Sequence, residues 1–269
     1  MNDLCNATLG RGLDVGNRVV ATLRKKATKR FDSTMTLDGG SRLSAEFISP
    51  LVAELRATGF AKIPQFVQRE LAETLRERIE ALEGIEPGGA TYSSMEDWMN
   101  RGSMPRLNVN RAGLLAVTEL SAVDLTPLSI VARQMLGAAP DLLGPHSWIT
   151  RPLPDMTEVQ KEDSAMAYHC DSDFFGFMKV FLLLTEVQQE NGPFTFLSGS
   201  HRGKRHVQGR VTDATLRVEP RELCFGTGSP GDVVLAMTTG WHKATPPTAG
   251  HRTMVQWLFS NGLFGSATQ

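Results

Sequence analysis

Within Tyr168-His169-Cys170-Asp171, an imidazole and a carboxylate stand two residues apart. On an extended chain, residues two apart point to the same face. His169 and Asp171 therefore converge, and Cys170 points away. Such a pair offers a metal two adjacent ligands of borderline hardness. One further histidine makes a facial triad, which leaves open positions and suits an iron(II) that must also take up a cosubstrate and dioxygen. Four later histidines are available to complete it. His201 sits in a Gly-Ser-His-Arg turn, and His206 lies in a basic stretch. His251 stands beside Arg252. His242 follows a strand candidate, Asp232–Met237, where an inward-facing residue at a barrel mouth is expected.

Arg252 opens the segment Arg-Thr-Met-Val-Gln-Trp-Leu-Phe, ten residues beyond His242. By alternation it shares a face with Met254, Gln256 and Leu258. A guanidinium among such neighbours needs an anion, and the distal carboxylate of 2-oxoglutarate, gripped bidentately, is one candidate. A structural salt bridge is the alternative. Lys179, among Met178, Val180 and Phe181, also needs a carboxylate or a route to solvent. It is a second candidate for holding 2-oxoglutarate or a substrate anion. Candidate substrate contacts are Arg106, Phe175 and Trp241, with Arg101 and Asn108 in the same stretch as Arg106. Phe174 and Phe177 are expected near the site mouth.

Residues 168–202 (YHCDSDFFGFMKVFLLLTEVQQENGPFTFLSGSHR) and 230–252 (PGDVVLAMTTGWHKATPPTAGHR) resemble the metal-binding half of the phytanoyl-CoA dioxygenase family. Leu55 to Leu82 resembles that family's N-terminal strand and helix. The combination of His-x-Asp, Asn-Gly-Pro with Gly-Ser-His, and Gly-Asp before a distal His and Arg is specific. The resemblance implies a double-stranded β-helix and an iron(II)- and 2-oxoglutarate-dependent oxygenase. It implies His169, Asp171 and His242 as ligands and Arg252 as cosubstrate anchor. Related halogenases resemble the pattern but carry Gly or Ala at the carboxylate position, so Asp171 points to hydroxylation of an aliphatic carbon, with release of succinate and carbon dioxide. The same cofactors also serve epimerisation, desaturation or cyclisation. A metal cupin without 2-oxoglutarate and a non-catalytic jelly-roll binding protein are the readings from other classes.

These residues must be positioned by elements, and the chain divides accordingly. Residues 1–43 form the least core-like part, an arm with a basic stretch from Arg18 to Arg30. Residues 44–269 are expected to form one domain. Ser44 caps a helix over 45–57, and Gly59 stops it before a short strand at 60–63. Apolar Leu71, Leu75, Ile79 and Leu82 mark one face of a helix over 67–83. Residues 85–112 read as a long loop, uncommon in a compact domain unless it has a job, often as a lid. Another helix spans 127–137. Beyond residue 140 come strand candidates at 142–150, 166–172, 178–187, 194–197, 216–225, 232–237 and 252–259, separated by Gly/Pro/Ser turns. The expected fold is α+β with a mainly β core, a cupin-like jelly roll with its N-terminal helices packed on one face.

Composition sets outer bounds. Hydrophobic residues make up 41% and charged residues 21%, with a formal net charge of -1, so nothing calls for nucleic acid or an anionic membrane as partner. Three widely spaced cysteines give no disulfide framework or paired-cysteine zinc site. With no secretory signal and no apolar run long enough to span a bilayer, a cytoplasmic protein acting on a small molecule is expected. Oligomeric state and substrate identity are not legible.

Overall fold

A computed structural model describes residues 45–174, 176–202, 210–211, 213–216, 219 and 222–262. The arm expected at 1–43, Phe175 and His206 lie outside the described residues.

Helix α1 (Ala45–Thr58) buries Ile48, Leu51, Val52 and Leu55 along one stripe. Gly59 ends it with a φ of 82°, a left-handed turn in which a side chain would also strike the rings of His201 and Phe196. Strand β1 (Phe60–Ile63) follows, then α2 (Arg69–Glu80), which buries Ala72, Leu75 and Ile79.

The stretch read as a long loop is largely ordered. It contains β2 (Gly84–Ile85), β3 (Thr91–Tyr92), α3 (Met95–Arg101), β4 (Arg106–Val109) and α4 (Arg111–Leu115). The Ser, Asn and Gly residues that suggested a loop are helix caps and turns. Ser94 accepts from the Asp97 amide and Asn110 from the Gly113 amide. Glu86, 3% exposed, organises the segment from inside. Its carboxylate accepts from Trp98 Nε1 at 2.7 Å, Tyr92 Oη at 3.1 Å and the amides of Ser103 and Met104 at 2.8 Å each.

The remaining elements are α5 (Thr126–Leu136), ended by left-handed Gly137, then β5 (Asp141–Thr150) and α6 (Glu158–Asp163). After them come β6 (Phe177–Leu183), β7 (Phe194–Leu197), β8 (Leu223–Phe225), β9 (Val233–Ala236), β10 (His242–Ala244) and β11 (Arg252–Ser260). The strand expected over 216–225 is confined to β8, and Asp213–Leu216 is a helical turn. The strand expected over 166–172 is only extended chain with isolated bridges, Tyr168 to Val211 and His169 to His242.

An eight-stranded antiparallel sheet runs β1-β9-β6-β11-β5-β4-β2-β3, and a three-stranded sheet runs β10-β7-β8. They form a jelly-roll arrangement without a closed barrel. Strand alternation assigns two faces to the large sheet. Val180, Leu182, Val233, Leu235, Val255, Trp257 and Phe259 point outward into one cluster with α1, α2 and α5. Phe181, Leu183, Val234, Ala236 and Met254 point inward to meet Phe194 and Phe196 of the small sheet. The helices thus cover one face, and the other faces the site. β9 is buried along its whole length because both sides are covered.

Candidate metal centre

His169, Asp171 and His242 meet at the gap between the two sheets, with one ligand atom from each lying within 4.8 Å of the others. Backbone pairing brings them there. The amide of His169 donates to the carbonyl of His242, and the reverse bond also forms, both at 3.0 Å. The Asp171 amide donates to Thr238 O at 2.9 Å. Asp171 Oδ1 lies 3.7 Å from His169 Nε2, and Oδ2 lies 3.3 Å from His242 Nε2.

Each imidazole is oriented by a carbonyl. His169 Nδ1 lies 2.9 Å from Ala167 O, and His242 Nδ1 lies 2.9 Å from Gly240 O. A carbonyl only accepts, so each Nδ1 carries the proton and each Nε2 presents its lone pair to the cavity. Burial, then the neighbouring His242, pushes the His169 pKa down to about 3, so it is a neutral ligand at physiological pH. Burial opposes ionisation of Asp171, but His242 and Lys179 hold its carboxyl well below the usual range. Two imidazoles and one carboxylate gathered in this way form a donor set suited to iron(II).

Arg252 supplies the second requirement. It is 1% exposed. Its Nη1 donates to the carbonyl of Gly192, while its Nε has no partner. Among the described residues no carboxylate pairs with it. Burial, then Arg106, lowers its pKa to about 9, so it stays cationic at neutral pH. A buried cation with an unused donor is costly unless an anion completes it. The distal carboxylate of 2-oxoglutarate fits that need.

These groups line a cavity of about 440 Å³. Met254 and Gln256 share it with Arg252, as alternation on β11 predicts, whereas Leu258 does not line it. Lys179 also lines it, 2.7 Å from Asp171 Oδ2 and 3.2 Å from Asp173 Oδ2. Arg106 reaches it from β4, lying over the Trp148 ring at 4.6 Å. Trp241 does not line it; its amide bonds Ser200 Oγ at the turn before β10. Of the other histidines, His201 packs against Phe196, and His251 pairs with Glu80 at 2.9 Å. Neither reaches the triad. Sequence reasoning missed His146, Trp148, Arg111 and Arg210, which line the cavity as well. For Trp148 and His146 a signal existed, since β5 alternation puts both on one face of a strand beside β11.

The family model for phytanoyl-CoA dioxygenase (PhyH) matches residues 55–254. The chain belongs to the phytanoyl-CoA dioxygenase family. The matched span contains all three candidate metal ligands and Arg252. Membership and the triad together place the chain among the non-haem iron, 2-oxoglutarate-dependent enzymes. Solved structures share the fold. EvdO2 from Micromonospora carbonacea var. aurantiaca, complexed with 2-oxoglutarate, is 18% identical with a TM-score of 0.56, covering 87% of this chain and 96% of its own. The epimerase SnoN in complex with Fe3+, alpha ketoglutarate and nogalamycin RO is 16% identical with a TM-score of 0.56, covering 81% and 84%. The carbocyclase SnoK from nogalamycin biosynthesis is 19% identical with a TM-score of 0.55, covering 82% and 87%. No curated protein matches the chain in sequence. No helix among the described residues is long and apolar enough to cross a membrane.

Proposed function

We propose that this family member hydroxylates an aliphatic carbon of a small molecule. One oxygen atom of dioxygen enters the substrate as hydroxyl, and the other enters succinate as 2-oxoglutarate loses carbon dioxide. The observation that carries this reading is the buried, unpaired Arg252 in the same cavity as an intact His169–Asp171–His242 triad.

Iron(II) and 2-oxoglutarate, when bound, would supply the oxidising power for the reaction with dioxygen. The protein's residues do the rest. His169 Nε2, His242 Nε2 and the Asp171 carboxylate would hold the metal. Arg252 grips the C5 carboxylate. Lys179, paired with Asp171, would meet a second anionic oxygen of the cosubstrate. Phe181, Phe194 and Met254 close the inner wall with apolar surface and keep water from the reacting carbon. Arg106 reaches the substrate from β4. Epimerisation, desaturation and cyclisation use the same machinery, and product mass separates them: hydroxylation adds one oxygen atom, desaturation removes two hydrogens, epimerisation changes nothing.

An anaerobic titration of the apo-protein with iron(II) and then 2-oxoglutarate tests the cofactor reading. A weak visible charge-transfer band is expected in wild type and not in His169→Ala. Arg252→Ala should need about a hundredfold more 2-oxoglutarate, the cost of leaving a carboxylate unpaired in a buried site. A protein that binds no 2-oxoglutarate and shows no band is a metal cupin or a binding module instead.

A further inference from the structure

The cavity wall carries six cationic side chains, Arg106, Arg111, Lys179, Arg210, Lys243 and Arg252, against one carboxylate, Asp171. Three of the six have assignments. Lys179 is paired with Asp171 and Asp173, Lys243 lies over the Tyr168 ring at 4.6 Å, and Arg252 awaits the cosubstrate. Loading the site does not remove the excess, because the charge of iron(II) and that of the 2-oxoglutarate dianion cancel.

Arg106, Arg111 and Arg210 remain. Among the described residues none of them forms an ion pair with a carboxylate. Arg106 donates through Nε to Asn108 Oδ1 at 2.8 Å and its guanidinium lies over the Trp148 ring, which leaves its two Nη groups unused by the described residues. Arg210 Nη1 comes within 3.5 Å of His169 Nδ1. That nitrogen already gives its proton to Ala167 O, so it has no lone pair for Arg210, and the approach is a contact rather than a bond. Arg111 begins α4 and stands at the exposed rim. The field of these groups is felt by His146, whose pKa is lowered by burial, then by Arg111, Lys179 and Arg106. Cations that repel one another across a cavity persist in a fold when a ligand neutralises them.

Resting on the oxygenase reading above, we propose that the substrate is an oxyanion, whose carboxylate or phosphate docks on Arg106, Arg111 and Arg210 while its carbon skeleton lies against Trp148 and Phe181 toward the triad. Guanidinium groups suit this role because their paired N–H donors match carboxylate and phosphate oxygens. A cavity of about 440 Å³, shared with 2-oxoglutarate, fits a small acid or phosphate ester.

Calorimetric titration of the nickel(II)-loaded protein, saturated with 2-oxoglutarate, tests this without turnover. The probes are inorganic phosphate, acetate and, as neutral counterpart, acetamide. The nickel protein should first bind 2-oxoglutarate. At least one anion should then bind at a single saturable site that weakens as salt rises, and acetamide should not bind. Phosphate or acetate preference tells an ester from an acid. Arg106→Gln and Arg210→Gln should each weaken the anion about tenfold. Arg210→Gln should keep the wild-type affinity for 2-oxoglutarate, which also certifies its fold. No anion binding over bound 2-oxoglutarate, or binding indifferent to both substitutions, overturns the oxyanion proposal and leaves the oxygenase reading intact. A wild-type protein that takes up no 2-oxoglutarate overturns both.

Discussion

Lys179 shares Asp171 with whatever metal the triad holds, and its second carboxylate, Asp173, keeps it in place at 3.2 Å. Burial would lower its pKa, but Asp171 and Asp173 raise it, so it is a fixed positive charge beside the metal position. If that charge meets an oxygen of 2-oxoglutarate, Lys179→Met should bind nickel(II) at least as well as wild type and 2-oxoglutarate about tenfold more weakly. Equilibrium titration of both ligands decides it; an unchanged 2-oxoglutarate affinity makes Lys179 only a counter-ion for Asp171. At this scale much of the site was legible. His169 and Asp171 were singled out because two-residue spacing converts sequence directly into a shared face, and Arg252 because it stands ten residues beyond His242; a guanidinium on that strand taken alone reads as a salt bridge. Arg111 and Arg210 were not, since they reach the cavity through tertiary placement with no local pattern. Trp241 was misplaced because adjacency to His242 in sequence says nothing about direction when neighbours point to opposite sides.

Elements hold these residues at fixed separations. Glu80 at the end of α2 accepts from Thr253 Oγ1 at 2.7 Å and pairs with His251, so it clasps both neighbours of Arg252. Burial would raise the Glu80 pKa, but the His251 and Thr253 donors, with Arg76 nearby, hold it below its ordinary 4.5. The unfolded chain therefore takes up this proton first as pH falls. The stability Glu80 contributes is complete above about pH 4.5 and is lost as pH drops through its lower folded value. Glu80→Gln should cost about 1 kcal/mol at pH 7 in denaturant unfolding, and that difference should shrink in acid. A difference constant with pH would mean that the clasp does not depend on the carboxylate charge. The helices α1, α2 and α5 and the later strands were readable because their apolar residues repeat with one period over enough residues. The segment 84–115 was not. Its strands are two to four residues long, too short to show alternation, and its helices are set by the capping residues that also mark loops.

For the whole molecule, the wall carrying Arg106 and the wall carrying Arg252 belong to one sheet, while His242 comes from the other. β4 pairs with β5, which pairs with β11, so Arg106 stands beside Thr150, which stands beside Arg252. Glu86 holds the outer part of this wall, and Arg151 closes α3 by donating to the carbonyls of Met99 and Gly102 at 2.6 Å each. Glu86→Ala should cost about 3 kcal/mol by leaving its buried donors unpaired. Hydrogen exchange should show 84–115 losing protection before β6, β9 and β11, with nickel(II) binding retained; uniform loss across the sheet would show that the segment is no separate unit of stability. The order of strands has a last consequence, for anyone who would shorten or graft this protein. Removing 84–115 to widen access would strip β4 from Trp148–Thr150 and extend the edge that β5 already shows beside exposed Leu142 and Leu143 to its full ten residues. A bare edge of that length recruits other chains, so the trimmed enzyme should fail first by self-association, unless charged residues or proline are built into β5 at the same time.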